Sequence, residues 1–404
     1  FLLFELVRQF KWCLYMKLTG LRVLDLSRFL PGPHLAMMMA DHGADVIKVE
    51  DTKFGDATRS IGPKEGGQTV YFRNVNRGKR SVAIDLKSDS GRLLFHKLAK
   101  TADVIIETFR PGVVDRLGIG YETIKKDCPH IVYCSISAFG QTGPYRDIPA
   151  HDLSVNGLSG VLSMSVGSDG EPNMPCLPPS DLAGSLMAFS GILMALIRRN
   201  NTGIGDYIDL GMYDAVVSWT PHIIGKLFSE NIAPQPSSER TQGGSAFYNT
   251  YRTSDDRWIS LGGGEIKFVT NFLTAMGRED LIEIGKLPAG ELQKPLKDYL
   301  KKTFLLKTQA EWVEWFEGKD ICFSPVLDMK EAMKVSQLSH RNMILTDAAG
   351  NSHLGVPIKF KEEPALPDLS APELGEHTQE IMVELGYSDP DISRMQSEGI
   401  VNLG

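Results

Sequence analysis

His151, Asp152 and Asp181 are the residues of this 404-residue chain whose types and spacing best suit acid–base chemistry. An imidazole and a carboxylate on opposite sides of one substrate carbon can remove a proton from one face and return it to the other. A carboxylate working alone suits a different reaction, nucleophilic attack on an activated acyl group. The class of chemistry therefore depends on whether His151 shares a site with Asp181.

Asp181 stands at the start of a strongly apolar segment, which predicts a buried helix over Asp181–Arg199. An acid at this position can simply cap the helix, or it can act as a base or nucleophile. For the second role we expect the helix N-terminus to keep the carboxylate ionised and to offer amides to a developing oxyanion. His151 lies on a proline-rich loop, where a histidine is often only a surface residue.

Two further groups of residues could serve a ligand. The densest basic cluster is Asn76-Arg77-Gly78-Lys79-Arg80, and Lys87, Arg110 and Arg116 follow on later loops. Such side chains can hold phosphates by charge-assisted bonds, although charged clusters are also ordinary solvated surface. The second group is Gly262-Gly263-Gly264-Glu265, where three glycines let the backbone come close to a ligand and Glu265 could reach the reacting centre. A simple turn is the alternative for this second group.

The elements that must position these residues alternate between strand and helix, which predicts a doubly wound α/β fold with a parallel sheet. Strands are predicted at 21–26, 45–49, 81–86, 103–108, 131–136 and 205–210, with helices after Pro31 and Ser88. We expect an extension at 1–15, the first part of a large domain at 16–220 and a Pro/Ser/Gly-rich linker at 221–245. A smaller α+β domain follows at 246–330, with strands at 247–252 and 258–261. Residues 331–404 return to the large domain.

Composition excludes several classes of protein. A hydrophobic content of 42% and a net charge of −7 indicate a globular protein and argue against a general binder of nucleic acid or anionic membranes. The five cysteines form no C-x-x-C pair, which favours a reducing cytoplasm over a disulfide framework. Cys128, His130 and Cys134 lack a second ligand pair, so no metal site is expected. The segment SRFLPGPH after the first strand has one glycine where a dinucleotide-binding loop needs three.

Several long motifs occur in one order: LTGLRVLDLS with PGP, GADVIKVE, NRGKRSVAIDLKSDSGR, ETFRPGVVDRLGIGYE, SAFGQTGPY, AHDLS, SDLAGS and GEHTQEI. Together they resemble the family III CoA-transferase and α-methylacyl-CoA racemase superfamily, from Leu18 to about Tyr387. The resemblance implies a large Rossmann-like domain built from both ends of the chain and a small domain from its middle. It also implies an interlocked homodimer, with each active site between the large domain of one subunit and the small domain of the other.

The resemblance further implies that coenzyme A, as part of an acyl-CoA substrate, lies across the large domain, with no other cofactor and no metal. The basic cluster Asn76–Arg80 becomes a phosphate site in this interpretation. Superfamily members often have an arginine where this chain has Asp51, and Lys53 is the candidate to replace it. By motif position, the coenzyme A contacts are Ile84, Asp85, Leu86, Lys87, Thr108, Phe109, Arg110, Arg116, Ala150, His151 and Asp152.

Asp181 occupies the position of the shared catalytic aspartate. In the transferases this aspartate carries coenzyme A as an aspartyl thioester; in the racemases it is paired with the histidine of a G-H-D motif, which resembles Ala150-His151-Asp152 here. The segment GGGEIKF resembles the racemase segment that supplies a glutamate, which maps to Glu265. We therefore expect a racemase or epimerase of 2-methylacyl-CoA thioesters, with His151 and Asp181 as bases. A CoA-transferase acting through Asp181 is the alternative, and a coenzyme A-binding protein without catalysis is a third.

Overall fold

The computed structural model describes residues 15–167 and 169–404, so the expected extension at 1–15 lies outside the described residues except for Tyr15. The chain forms two compact units. The first contains the described residues from Tyr15 to Asn156, together with Leu177–Val217 and Ser336–Gly404. The second contains Gly157–Cys176 and Ser218–Val335. The segment Gly157–Cys176, which the sequence pattern assigns to the large domain, thus groups with the second unit.

A seven-stranded sheet forms the centre of the first unit. The strands are β1 Arg22–Asp25, β2 Asp45–Glu50, β3 Lys79–Ile84, β4 Val104–Glu107, β5 Val132–Ser137, β6 Tyr207–Gly211 and β7 Val401–Asn402. They run in the order β7-β3-β2-β1-β4-β5-β6, and all neighbours are parallel except β7, which pairs antiparallel with β3. The predicted parallel sheet of an α/β fold is therefore confirmed, with one antiparallel edge strand added.

Apolar side chains cover both faces of this sheet, as a parallel sheet requires. Successive residues of a strand point to opposite faces, so Leu24 and Val23 belong to two separate clusters of buried side chains. The order of the strands reverses between β1 and β4, and doubly wound sheets bind ligands at such a point, outside the carboxyl ends of the strands. We therefore expect a ligand-binding site beside the carboxyl ends of β1 and β4.

Five helices that follow strands or loops of the first unit are α1 Pro31–Asp41, α2 Val70–Asn76, α3 Asp89–Ala99, α4 Asp152–Leu158 and α5 Pro179–Thr202. Ser88 caps α3 as the sequence predicts, since its hydroxyl accepts a hydrogen bond from the Gly91 amide at 3.0 Å. The remaining elements of the first unit are short. They are Ala57–Arg59, Lys64–Glu65, Gln68–Thr69, Val113–Arg116, Tyr121–Ile124, Met212–Val217, Ser336–His340, Ile344–Thr346, Ser352–Leu354, Thr378–Glu384 and Asp389–Ser397.

The apolar helix α5 corrects one expectation, because only one of its faces is buried. Ala188 and Ile192 pack into the core of the first unit, whereas Met194 and Ile197 are exposed. By length and composition α5 is the one helix of the described residues that could cross a membrane, a test that core helices of soluble proteins also pass. Apolar composition predicted the helix correctly but could not distinguish a fully buried helix from one with an uncovered apolar face.

The second unit is built on a three-stranded antiparallel sheet of Tyr248–Arg252, Trp258–Gly262 and Phe323–Pro325, with the Trp258 strand in the centre. Its core is rich in aromatic side chains, including Phe272, Phe304 and Trp312. The expected linker at 221–245 contains one short helix, Gly225–Glu230, and an irregular turn at Arg240–Gly244, where Gly243 has a φ of 82°. The other elements are Val161–Met164, Ile266–Ala275, Glu279–Leu281, Ile282–Gly285, Glu291–Gln293, Lys294–Phe304, Gln309–Phe316 and Met329–Ala332.

Candidate active site

A cavity of about 550 Å³ opens in the first unit beside the carboxyl ends of β1, β4 and β5. This is the edge at which the strand order reverses, so the cavity lies where ligands of such sheets bind. Both His151 and Asp181 belong to its wall. Its lining is Arg28, Phe29, Pro31, Thr108, Phe109, Arg110, Pro111, Ile136, Ser137, Ala138, Arg146, Asp147, Ile148, Pro149, Ala150, His151, Ser154, Asp181 and Met212.

Asp181 lies in the first turn of α5, two residues after Pro179, the residue that begins the helix. The residue before the helix, Pro178, has no side chain able to cap it. Asp152 supplies the cap instead: its Oδ1 accepts hydrogen bonds from the amides of Ser180 at 2.8 Å and Asp181 at 3.1 Å. The hydroxyl of Ser180 also donates to the same oxygen. A carboxylate on another helix therefore satisfies the first turn of α5.

This arrangement corrects the expectation that the amides of α5 stabilise an oxyanion. Proline has no amide hydrogen, the amides of Ser180 and Asp181 donate to Asp152, and the amide of Leu182 donates to the carbonyl of Pro178 at 3.1 Å. The donors of the first turn are thus already used within the protein. The sequence could not predict this, because Asp152 and Ser180 are 28 residues apart.

The ionisation expected for Asp181 is also wrong. Burial and, to a lesser extent, the negative charge of Asp152 together raise the pKa of Asp181 to about 7. The helix N-terminus does not offset this, since its amides are engaged by Asp152. A carboxyl group that titrates near neutral pH can both accept and return a proton under ordinary conditions.

Tyr71 of α2 is a neighbour of Asp181 that the sequence analysis missed. Burial raises the pKa of the Tyr71 phenol to about 12, and the charges of Asp181 and Asp56 contribute. The phenol is therefore neutral at any pH at which the protein would be assayed. No motif in the sequence singles out Tyr71, and only the packing of α2 brings it near Asp181.

His151 is exposed and stands directly before α4, where its carbonyl accepts hydrogen bonds from the amides of Ser154 and Val155 at 2.9 and 3.1 Å. Its imidazole meets the ring of Phe29 edge to face, with 5.7 Å between ring centroids. Phe29 has a φ of 65°, a left-handed conformation that is unfavourable for a bulky side chain. Strain of this kind is concentrated at functional sites, where the surrounding structure maintains it.

Three arginines, Arg28, Arg110 and Arg146, line the cavity from three different loops. Arg28 lies over the ring of Phe109, with 5.7 Å between the guanidinium carbon and the ring centroid. Of the three, the sequence analysis named only Arg110. Arg28 and Arg146, which the sequence analysis missed, lie on the loops that follow β1 and β5. Their position after strands is the feature of the sequence that could have identified them. These cations give the cavity the charge that a phosphorylated ligand requires.

The basic cluster Asn76–Arg80 does not contribute to this charge, which corrects its interpretation as a phosphate site. Arg77 is buried and paired with Asp41 at 2.7 Å. Lys79 is buried and paired with Asp25 at 2.8 Å, and Arg80 is paired with Asp45 at 2.8 Å and with two glutamates. The cluster forms internal ion pairs because Lys79 and Arg80 lie at the start of β3, where they meet carboxylates of other elements.

Comparison with known proteins shows the family to which the chain belongs. The model of CoA-transferase family III matches residues 18–378. The chain belongs to CoA-transferase family III. It is 32% identical to succinyl-CoA:glutarate CoA-transferase of Homo sapiens, covering 95% of this chain and 90% of that protein. It is 33% identical to alpha-methylacyl-CoA racemase of Mus musculus, covering 96% and 98%. The fold matches the crystal structure of a CAIB/BAIF family protein from Brucella suis with a TM-score of 0.80 and 28% identity, covering 92% and 100% of the chains.

Only some of the coenzyme A contacts expected from the family resemblance line the cavity. Thr108, Phe109, Arg110, Ala150 and His151 line the cavity together with Asp181. The others, although they lie in the same unit, are not part of its wall: Ile84, Asp85, Leu86, Lys87, Arg116 and Asp152. Ile84 is fully buried at the end of β3, whereas Lys87 is exposed just after it.

Asp51, the departure from the usual family pattern, accepts hydrogen bonds from the amides of Lys53 at 2.9 Å and Phe54 at 3.2 Å. It therefore shapes the loop after β2. Lys53 is exposed, and its role as a replacement for the family's arginine stays a prediction.

Glu265 belongs to the second unit, where it is exposed and precedes the helix Ile266–Ala275. Its carbonyl accepts a hydrogen bond from the amide of Phe268 at 3.0 Å. One of the three preceding glycines has a packing reason, since a Cβ on Gly263 would approach the ring of Phe268 to 2.5 Å and Cys322 to 2.8 Å. The supporting role that the resemblance implies for Glu265 stays a prediction.

Proposed function

We propose that this family member racemises or epimerises 2-methylacyl-CoA thioesters, with one base removing the Cα proton and a second base returning a proton to the opposite face. The observation that carries the proposal is that His151 and Asp181 line one cavity, at the ligand-binding edge of the sheet. The thioester acidifies the Cα–H, and each base would deprotonate one enantiomer and reprotonate the opposite face. Asp181 suits this exchange because the pKa of its carboxyl is raised to about 7.

The cationic wall of the cavity supports an acyl-CoA substrate. Arg28, Arg110 and Arg146 would bind its phosphates, which leaves the thioester free to reach the two bases. The enolate oxygen needs a donor other than the first turn of α5, because the amides there are bonded to Asp152 or to the Pro178 carbonyl. Neither the deprotonation nor the reprotonation requires a metal or a redox cofactor, since each proton moves between a protein side chain and the substrate Cα.

A CoA-transferase is the second candidate, and the 32% identity to a human succinyl-CoA:glutarate CoA-transferase favours it. In that reaction the Asp181 carboxylate attacks the thioester carbonyl and expels the coenzyme A thiolate, which leaves a mixed anhydride. The thiolate then attacks the aspartyl carbonyl, the donor acyl group leaves as its carboxylate, and coenzyme A is carried as an aspartyl thioester. Asp181 alone would then be essential, and His151 would be dispensable.

Exchange of the Cα–H in deuterated water, with 2-methylbutanoyl-CoA and no acceptor acid, separates the two candidates. The racemase predicts deuterium at Cα and loss of optical activity. The transferase predicts no exchange, but transfer of coenzyme A when a second acid is added, with Asp181 trapped by hydroxylamine during turnover. Absence of exchange across a panel of branched acyl-CoA thioesters overturns the racemase proposal.

We further propose that the protein acts as a homodimer in the cytoplasm and that Glu265 supports the reaction. Exposed apolar side chains on α5, including Met194 and Ile197, support a covered surface in the active protein. Light scattering measures the oligomeric state directly, and a monomer with full activity contradicts the proposal. Glu265→Gln should lower turnover without changing the affinity for coenzyme A.

A further inference from the structure

Asp152 is the residue through which the segments carrying the two candidate bases are joined. Its Oδ1 accepts the amides of Ser180 and Asp181, and its Oδ2 accepts the side-chain amide of Asn156 at 2.6 Å. Both carboxylate oxygens are therefore engaged by groups of the protein. Charge-assisted hydrogen bonds of this kind are about twice as strong as neutral ones.

The same residue is bonded covalently to His151. The backbone of His151 is itself fixed, because its carbonyl caps α4 through the amides of Ser154 and Val155. The connection from one base to the other thus runs through the His151–Asp152 peptide, the Asp152 carboxylate and the amide of Asp181. Ser180, whose hydroxyl completes the contact, is fully buried.

We propose that Asp152 is a positioning residue, whose carboxylate ties the first turn of α5 to the start of α4 and so holds Asp181 in register with His151. This inference rests on the proposed function for its consequence in catalysis, but not for the contact itself. It assigns Asp152 a role other than the coenzyme A contact that the family resemblance implies. A carboxylate with both oxygens engaged would have to break hydrogen bonds to bind a ligand.

Asp152 also acts on Asp181 by charge. The pKa of Asp181 is raised to about 7 by two causes, of which burial is the larger and the negative charge of Asp152 the smaller. The charged or titratable groups that share the cavity wall with Asp181 are Arg28, Arg110, Arg146, Asp147 and His151, none of which changes in these variants. Arg199, near the far end of α5, is paired with Asp103. Two further titratable groups near the start of α5 are Tyr71 and His34. The pKa of Tyr71 is raised to about 12, and the pKa of His34, whose Nδ1 lies 2.9 Å from Ser185 Oγ, is lowered by burial. Both are neutral near pH 7, so removing the charge of Asp152 has a specific signature.

Two substitutions separate the charge of Asp152 from its position. Asp152→Asn keeps an oxygen that accepts the two amides but removes the charge, so the pH midpoint assigned to Asp181 should fall by about one unit. Asp152→Ala removes the tie, and kcat for Cα–H exchange of 2-methylbutanoyl-CoA should fall about 100-fold with little change in KM. Asp89→Asn, at an exposed acid in the first turn of α3, is the matched control and should change neither quantity.

Ser180→Ala tests the tie without altering charge. It removes the hydroxyl that donates to Asp152, so kcat should fall about 10-fold while the pH midpoint stays in place. This variant keeps the test decisive if Asp152→Ala does not fold. A rise in KM for the thioester, with kcat unchanged in the Asp152 variants, overturns the proposal and makes Asp152 a ligand contact.

A measurement that does not depend on activity distinguishes this inference from the proposed function. A water-soluble carbodiimide modifies protonated carboxyl groups, so the modification of Asp181 across pH, followed by mass spectrometry, reports its titration. The midpoint should lie near pH 7 in the wild type and lower in Asp152→Asn. An identical midpoint in both proteins contradicts the inference. Absence of Cα–H exchange in the wild type, with the midpoint shifted as expected, contradicts only the proposed function.

Discussion

The imidazole of His151 and the ring of Phe29 meet edge to face, with 5.7 Å between their centroids and 84° between their planes. Phe29 makes this contact from a left-handed backbone conformation, in which a phenylalanine is rarely found. Both side chains line the cavity. The strained backbone of Phe29 therefore holds its ring against the exposed imidazole of His151, where the ring can restrict the orientation of the imidazole.

Phe29→Gly should separate stability from activity. Glycine adopts a positive φ readily, so the variant should unfold at a temperature no lower than the wild type. The exchange rate should fall about 10-fold, because the imidazole loses the ring that limits its rotation. Thermal unfolding and Cα–H exchange measure the two effects. Phe54→Gly, at a more exposed phenylalanine outside the cavity wall, is the control for loss of an aromatic ring. Unchanged exchange in Phe29→Gly contradicts the role given to this contact.

His151→Ala should separate proton exchange from inversion. With one base removed, Asp181 can still deprotonate the enantiomer that faces it and return deuterium to the same face. Racemisation should fall by a factor of about 100 or more, while one enantiomer still exchanges with retention. Chiral analysis of the labelled thioester measures both. His340→Ala, at an exposed histidine elsewhere, serves as the control. Equal loss of exchange from both enantiomers contradicts two independent bases.

The sheet and its helices could be predicted from the sequence because their signals are local. The strand at 131–136 and the Ser88 cap depend on residues within one element, and the structure places both within one or two residues of the prediction. The ionisation of Asp181 depends instead on its burial and on Asp152, a residue 29 positions earlier whose carboxylate meets the first turn of α5. Helix position alone predicts an ionised acid, whereas burial and a second carboxylate reverse that prediction.

The ion pairs of the basic cluster Asn76–Arg80 also could not be predicted from the sequence, because the partners are distant along the chain. Arg80 is paired with Glu380 and Glu384, about 300 residues further along the chain. Nothing near Arg80 in the sequence indicates these partners, so a cluster of internal ion pairs resembled a phosphate site. Arg28 and Arg146, which do line the cavity, are single basic residues in unremarkable loops.

Arg110→Gln should therefore weaken coenzyme A binding, whereas Arg80→Gln should lower the stability of the protein. Arg110 lines the cavity, so its loss should weaken coenzyme A binding about 10-fold, the value of one charge-assisted hydrogen bond. Arg80 forms ion pairs within the protein, so its loss should leave coenzyme A binding unchanged and lower the unfolding temperature. Calorimetric titration with coenzyme A and thermal unfolding distinguish the two. Arg394→Gln, at an exposed arginine, controls for loss of charge. Weaker binding in Arg80→Gln alone would restore the cluster as a phosphate site.

Asp181→Asn should stabilise the protein at neutral and alkaline pH. Folding raises the pKa of Asp181 from 3.8 to about 7, so the folded state binds more protons than the unfolded state between these values. Stability of the wild type therefore falls as pH rises from about 4 to about 7. Asparagine removes this penalty, and the variant should gain about 2 kcal/mol at pH 8. The full shift corresponds to ~4 kcal/mol, but water in the cavity screens part of it.

Urea unfolding of the wild type and Asp181→Asn at pH 4, 6 and 8 measures this difference. The two proteins should be most similar in stability at pH 4, where the carboxyl is protonated in the folded state and only partly ionised in the unfolded state, and should diverge as pH rises. Asp89→Asn replaces an exposed acid in a similar helical position and should show no such divergence. A variant less stable than the wild type at pH 8 would mean that the ionised carboxylate has a stabilising partner, and the explanation of the raised pKa by burial and by Asp152 would then fail.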